Sequence, residues 1–85
     1  MSEPINLDIL LFASVAEASG RTTAQIPFVA GETVADLRLR IAEHLPVAAA
    51  TINGSRLARN ERFASDDELV VETDTIAVIP PVAGG

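Results

Sequence analysis

The sequence predicts a single α+β domain in which a mixed sheet carries one main helix. Residues 5–12 and 76–79 are both apolar on their two faces for part of their length, which is typical of central strands. Between them one clear helical pattern begins at Thr33. A chain of 85 residues has room for only one domain. We therefore expect the first and last strands to lie side by side and parallel, with the helix packed across one face.

The N-terminal third predicts two strands of different character. In residues 5–12 apolar and polar residues alternate at first, and from Leu10 onward both faces are apolar. A short connection containing Ser19-Gly20 follows. Residues 22–29 alternate again, and Pro27 has no N–H to donate to a neighbouring strand. The second strand is therefore expected at an edge of the sheet.

Thr33 is the predicted N-cap of the helix, and Asp36 stands at the position that completes a weak capping box. Pro46 ends the helix because its ring would clash with the preceding turn. The apolar stripe expected to face the sheet follows a helical spacing and consists of Val34, Leu37, Ile41 and Leu45.

The residues after the helix predict short elements. We expect a strand of small residues at Val47 to Ile52, with Asn53-Gly54 as a hairpin turn. A further short strand is predicted within Leu57 to Phe63, a single capped turn at Ser65 to Glu68, and the last strand at 76–79.

The order β-β-α-β-β with parallel first and last strands corresponds to the β-grasp, or ubiquitin-like, fold. A ferredoxin-like arrangement would need a second full helix, which the pattern does not predict. We expect residues 1–79 to form the domain and residues 80–85 to form an extended C-terminal tail.

Composition excludes several kinds of function. The net charge of −6 disfavours nucleic acid as a partner, because phosphate backbones repel an acidic surface. The sequence contains no cysteine, and its six cations are all arginine, so thiolate chemistry and lysine Schiff bases are excluded. Since it shows no basic leader and no apolar run of transmembrane length, we expect a cytoplasmic protein without membrane contact.

No self-contained active site is predicted. His44 falls in the last turn of the helix, where a cationic side chain complements the helix dipole, and we interpret it as structural. The acidic run Asp66-Asp67-Glu68 offers too few oxygen ligands for a metal cage, so no metal site is expected. Any chemistry must then be completed by another protein.

The C-terminal tail is the predicted functional segment. Pro80 and Pro81 end the strand pairing and favour an extended exit, and the following residues narrow from Val82 through Ala83 to two glycines. Extended, residues 80–85 could reach roughly 20 Å. Such a peptide fits a slot that admits only backbone, and it brings a terminal carboxylate there. That carboxylate becomes reactive once activated, most simply as an acyl-adenylate formed from ATP.

Three stretches resemble the small subunit of molybdopterin synthase: Leu10 to Gly20, the helix from Thr33, and above all AVIPPVAGG at Ala77 to Gly85. The resemblance implies a sulfur carrier that is not catalytic alone. Its terminal glycine, here Gly85, is adenylated by a ubiquitin-activating-like adenylyltransferase that consumes ATP, and is then converted to a thiocarboxylate. No stably bound cofactor is implied.

By the same resemblance the tail inserts into the large synthase subunit, in a complex of two small and two large subunits, and sulfur passes to a pyranopterin precursor. Gly84 would give Gly85 clearance. The resemblance assigns positioning of the tail to Pro80, Pro81, Val82 and Ala83. It assigns contact with the partner to Phe12, Val78 and Ile79, although for Val78 a core position is equally consistent.

The sequence departs from the family pattern at two places, and three other functions stay open. Ala16 precedes Glu17 where the family often has arginine, and Glu72-Thr73-Asp74-Thr75 replaces a glycine-containing turn.

The alternative functions are a thiamine-type sulfur carrier with the same Gly-Gly end, and a ubiquitin-like modifier joined to other proteins through Gly85. A third class is an interaction module whose tail does no chemistry.

Overall fold

Five strands form one mixed sheet in the computed structural model, which describes residues 5–81. The predicted roles of Val82, Ala83, Gly84 and Gly85 lie outside the described residues. The strands are β1 (Ile5–Leu11), β2 (Thr23–Phe28), β3 (Arg56–Arg59), β4 (Arg62–Phe63) and β5 (Ile76–Ile79). Their order across the sheet is β2-β1-β5-β3-β4.

The first and last strands lie side by side in the centre of the sheet, as predicted. β1 and β5 are parallel, with Ile9 opposite Ile76 and Leu11 opposite Val78. β2 pairs with β1 antiparallel, and β3 is antiparallel to both β5 and β4. The predicted β-grasp architecture is therefore confirmed.

The edge position of β2 is also confirmed, and Pro27 stands where it does no harm. The Leu11 N–H donates to the Thr22 carbonyl at 2.8 Å, which identifies this pair as hydrogen-bonded. Bonded and non-bonded pairs alternate along an antiparallel ladder, so Pro27, opposite Asn6, is at a non-bonded position. Its missing N–H would have pointed away from the sheet, and no ladder bond is lost.

The main helix, α2 (Val34–His44), begins and ends as the sequence predicts. The Asp36 N–H donates to the Thr33 hydroxyl at 3.2 Å, and the Thr33 N–H donates to the Asp36 carboxylate at 3.0 Å. These bonds satisfy two backbone donors at the helix start. The stripe facing the sheet is buried and forms a core with Leu7, Ile9 and Leu11.

Two further helices occupy segments that the sequence analysis did not assign to helix. Residues Ala13–Ser19 form α1, where a simple connection was expected, and Gly20 ends it with φ of 72°. Alanine favours helix formation, and a glycine in the left-handed conformation commonly ends a helix. The connection through Ser19-Gly20 is thus the C-terminal end of a helix.

The strand predicted at Val47 to Ile52 is wrong. Pro46–Ala48 form one 3₁₀ turn and Ala49–Asn53 form α3, so Asn53-Gly54 ends a helix and is not a hairpin turn. Gly54 has φ of −92°, which lies outside the left-handed region that a two-residue hairpin would require. Ala48 and Ile52, four residues apart, are both buried, which is a helical spacing.

The hairpin that does exist lies a few residues further along. Residues 57–63, expected to contain one short strand, instead contribute to β3 and β4, which are joined by Asn60 and Glu61. The predicted turn after it is present, because Glu68 accepts a bond from the Ser65 N–H and donates its own N–H back to the Ser65 carbonyl.

Replacing Thr33 with alanine should lower the free energy of unfolding by about 1 kcal/mol, because the Asp36 N–H loses its acceptor at the start of α2. Urea denaturation monitored by circular dichroism measures the change. The matched control is Thr33→Ser, which keeps the hydroxyl and should stay close to the parent protein. Equal stability of the alanine and serine variants would contradict the capping role.

Candidate partner-binding site

The outer face of the sheet, opposite α2, is divided into a polar half and an apolar half. On β1 and β2 this face carries polar residues, and the Gln25 side-chain amide donates to the Asp8 carboxylate at 3.2 Å. Toward β5 and β3 the same face carries Leu10, Ala77 and Ala58. The apolar half therefore begins at the β1–β5 boundary, which is the centre of the sheet.

A groove of about 640 Å³ runs over this apolar half. Its apolar lining comes from β1, β5, β3 and β4 and from the residue after β1. Asn60, Glu61 and Thr75 form its polar end. The apolar members of the lining are Leu10, Phe12, Ala58, Phe63, Ala77 and Ile79. We call this feature the outer groove.

Two aromatic rings stand exposed at the outer groove. Phe12 is 47% exposed and Phe63 is 55% exposed, and both line the same apolar groove, so they belong to a contiguous apolar patch of the kind that marks an interaction site. The Arg56 guanidinium lies over the Phe63 ring, 3.9 Å from its centroid, in a cation–π arrangement. This contact fixes the ring at the edge of the groove.

Of the three residues predicted at the partner surface, the outer groove contains two. Phe12 and Ile79 both line it. Val78 has no exposed surface and belongs to the core, which is the second of the two positions that the sequence left open. Adjacent residues on a strand point to opposite faces, so Val78 and Ile79 could not both face outward.

The chain leaves the sheet at the outer groove. β5 runs parallel to β1 and ends at Ile79, at the same end of the sheet as Phe12. Pro80 is buried and Pro81 is exposed. A protein that binds the end of β5 is thus in position to cover the groove as well.

A buried carboxylate organises the polar end of the groove. The Asp74 side chain is only 2% exposed and accepts hydrogen bonds from Arg59 Nε at 2.6 Å, from Asn60 Nδ2 at 2.9 Å and from the Val71 N–H at 2.8 Å. Arg59 also pairs with Glu68 at 3.2 Å. These contacts tie the β3–β4 turn to the segment that precedes β5.

The charge of Asp74 is retained despite its burial. Desolvation alone would raise its pKa, but the bonds from Arg59, Val71 and Asn60 together hold the pKa below its ordinary value. The same contact with Asp74 raises the pKa of Arg59. Within the segment Glu72-Thr73-Asp74-Thr75, Asp74 closes a turn by donating its N–H to the Val71 carbonyl at 3.0 Å. A hydrogen-bonded side chain therefore stabilises this turn in place of a glycine.

Sequence reasoning did not identify Phe63, Asn60 or Glu61 as part of the site. The sequence did contain a signal for Phe63: it follows Arg62 in a short polar strand, where a phenylalanine is not expected to belong to the hydrophobic core. Asn60 and Glu61 carried no recognisable turn signal, because the usual two-residue hairpin has glycine at its second position.

The other candidate residues of the sequence do not line the outer groove. His44 Nδ1 lies 3.0 Å from the Arg40 carbonyl in the last turn of α2, as a structural histidine would. Asp66 pairs with Arg38 at 2.7 Å, and Glu68 with Arg59. Among residues 5–81 no three metal-ligating side chains come together. No helix within the described range is long and apolar enough to cross a bilayer.

Comparison with known proteins gives consistent matches over nearly the whole chain. A family model described as the ThiS family matches residues 9–85. The molybdopterin synthase sulfur carrier subunit of Dictyostelium discoideum is 36% identical over 80 residues, which cover 91% of this chain and 93% of that protein.

Solved structures with the same fold include two of particular interest. The crystal structure of SAMP1 from Haloferax volcanii superimposes with a TM-score of 0.80 at 25% identity, covering 94% of this chain and 99% of that one. A complex of subunits 1 and 2 of molybdopterin-converting factor from Helicobacter pylori contains a chain that matches with a TM-score of 0.63 at 16% identity. That match covers 95% of this chain and 100% of that one, and shows the fold alone.

Replacing Asp74 with asparagine should lower the free energy of unfolding at pH 7 by about 1–3 kcal/mol, because it removes the charge from a buried, hydrogen-bonded network. Since the folded-state pKa of Asp74 is depressed, its contribution is present above the ordinary aspartate pKa of about 3.9 and is lost as pH falls through the lower folded value. The difference between parent and variant should therefore shrink toward pH 2.

Urea unfolding at pH 7, 4 and 2 measures that difference. The matched control is Asp66→Asn, which removes a carboxylate paired with arginine at an exposed position and should change stability little. A stability difference between parent and Asp74→Asn that stays constant with pH would contradict the assignment.

Proposed function

The chain belongs to the ThiS family, and we propose that it is a sulfur carrier of molybdenum cofactor biosynthesis, acting as the small subunit of molybdopterin synthase. The relative from Dictyostelium discoideum that carries this description supports the pathway. The observation that carries the proposal is geometric: the last strand, β5, ends at Ile79, and Ile79 itself lines an exposed apolar groove. One partner can hold the Gly-Gly end and cover the groove together.

In this proposal the reacting atoms belong to Gly85. Its carboxylate attacks the α-phosphate of ATP on an adenylyltransferase partner, and pyrophosphate leaves. Sulfide, as HS⁻, then displaces AMP from the acyl-adenylate, and loss of the S–H proton leaves a C-terminal thiocarboxylate. Because the chain contains no cysteine, the transferable sulfur can reside only on that terminal carbonyl.

The second partner is the large synthase subunit, in whose active site the thiocarboxylate gives its sulfur to a pyranopterin precursor. The complex of two molybdopterin-converting factor subunits from Helicobacter pylori supports such a pairing. Phe12 and Ile79 at the outer groove would contact this subunit, while Pro80, Pro81, Val82, Ala83 and Gly84 guide the tail. We expect two small and two large subunits in the assembly.

Two other functions compete. A thiamine-type carrier would perform the same activation of Gly85 and differ in the acceptor. A ubiquitin-like modifier is supported by the likeness to SAMP1 from Haloferax volcanii, and would join Gly85 to amines of other proteins. The sequence has no lysine side chain, so copies of this chain could not be linked to one another through lysine.

Incubation with the adenylyltransferase, ATP and a sulfur donor should replace one terminal oxygen of Gly85 with sulfur. Intact-mass spectrometry detects the replacement as the mass difference between the two elements. A variant with one alanine added after Gly85 is the control and should gain no sulfur on glycine, because the reactive carboxylate is displaced from the Gly-Gly end. An unchanged mass of the parent protein in a system that modifies a known carrier would contradict the proposal.

The acceptor of the sulfur is tested with protein that already carries the thiocarboxylate on Gly85. When this protein is added to the large subunit and the pyranopterin precursor, molybdopterin should form. Product formation only with the thiamine pathway enzymes would favour the thiamine-type carrier. Lysine-linked conjugates recovered from cells, without molybdopterin formation, would favour the modifier.

Replacing Phe12 with alanine should weaken binding to the large subunit roughly tenfold, because an exposed aromatic at the centre of an interface contributes strongly to affinity. Isothermal titration calorimetry measures the dissociation constant. Leu39→Ala is the matched control, since Leu39 is a 59% exposed apolar residue on α2, behind the sheet. Equal weakening by both variants would contradict a role specific to the outer groove.

A further inference from the structure

The β3–β4 turn has an unusual backbone for its sequence. Asn60 has φ of 55° and Glu61 has φ of 70°, so both lie in the left-handed region. A two-residue hairpin turn of this kind requires positive φ at both central residues, and glycine is preferred at the second. Asparagine tolerates the conformation well, but glutamate gains nothing locally from it.

Surrounding contacts hold the turn in this conformation. The Asn60 N–H donates to the Thr75 carbonyl at 2.8 Å, and the Thr75 N–H donates to Asn60 Oδ1 at 2.9 Å. Asn60 Nδ2 is bound by the buried Asp74 carboxylate. These contacts hold Asn60 in the left-handed conformation, and the backbone of Glu61, the next residue of the turn, is held in place with it.

That fixed place is the polar end of the outer groove. Glu61 is exposed and lines the groove together with Asn60 and Thr75. Glu61 takes part in none of the four ion pairs found among residues 5–81. Its neighbour Arg62 lines an adjoining depression with Glu68 and Arg59, which shares Asn60 and Phe63 with the outer groove. The groove therefore has an apolar floor and, at its polar end, one carboxylate that takes part in none of these ion pairs.

We propose that Glu61 determines partner specificity: its carboxylate receives a lysine or arginine of the protein that covers the outer groove. The inference rests on the proposed function, because it deepens the description of the surface that binds the large subunit. Glu61 keeps a positive φ where glycine would be more stable, and its exposed carboxylate lies at the groove, which favours a role for the side chain itself. A rim carboxylate also fits the acidic character of the chain, which attracts basic partners.

The substitution Glu61→Gly separates this role from a structural one. Glycine adopts positive φ without steric cost, so the variant should be at least as stable as the parent, with a melting temperature higher by about 4 °C. It should nevertheless bind the large subunit more slowly. We expect an association rate constant about fivefold lower at 50 mM NaCl, because a rim charge acts mainly on the rate of encounter.

The substitution Glu61→Gln tests the charge with the backbone strain retained. It should leave the melting temperature unchanged and lower the association rate constant as much as Glu61→Gly does. At 500 mM NaCl the rate constants of both variants and the parent should converge, because salt screens the interaction. Glu43→Gln, which removes one carboxylate from the exposed surface of α2, is the control for net charge and should bind like the parent.

Stopped-flow association with the purified large subunit, together with thermal denaturation, supplies both readouts. Rates unchanged in Glu61→Gly and Glu61→Gln would overturn the proposal, as would slower binding by Glu61→Gly alone. A lower melting temperature for Glu61→Gly would overturn the argument from strain. The Glu61→Lys variant should bind the unchanged large subunit poorly. Replacing the basic partner residue of the large subunit with glutamate should restore binding to this variant.

These outcomes are distinct from a failure of the proposed function. If the large subunit does not bind the parent chain at all, the synthase assignment fails first, and the mass-spectrometric test of Gly85 decides independently whether the chain carries sulfur. If the parent binds and carries sulfur while the Glu61 variants bind equally fast, only the inference about Glu61 is wrong.

Discussion

The parallel pairing of β1 with β5 is the constraint on which the rest of the structure depends. It sets Leu11 opposite Val78, so the chain leaves the sheet at the end where Phe12 lies. An antiparallel last strand would instead have released the chain near Ile5, at the far end of the domain. The parallel arrangement needs a long crossover, which α2, α3 and the β3–β4 hairpin supply. Fold and candidate site are therefore coupled by one strand pair.

The sequence predicted this pairing because both strands are apolar on their two faces, which is typical of strands covered on both sides. Leu10, Ala77 and Ile79 make up the second of these apolar faces. In the structure α2 covers one face, while the other forms the floor of the outer groove. Periodicity reports that a face is apolar, and it cannot report which molecule covers it. The same signal that predicted the central strands thus indicated the partner surface.

The errors in the sequence analysis lie in segments where the secondary-structure preference of individual residues conflicts with the spacing of the buried residues. Val47 to Ile52 begins with a β-branched residue and ends next to Asn53-Gly54, which favours a strand and a hairpin. Three alanines and the burial of Ala48 and Ile52, four residues apart, decide for helix instead. Neither α1 nor α3 alters the order of the strands. The fold was consequently predictable from β1, β2, α2 and β5, although the crossover was not.

The polar end of the groove was beyond prediction for a different reason. Asp74 joins Arg59, Asn60 and Val71, which are separated from it by three to fifteen residues, and the bonds from Arg59 and Asn60 require β3 and β5 to be paired. A buried carboxylate with several donors fixes geometry more sharply than a flexible glycine turn does, because moving any one donor leaves the charge unsatisfied. The rigidity passes through Asn60 to the groove rim. In a domain this small, a network at the start of the last strand thereby stabilises both the strand that carries the tail and the surface beside it.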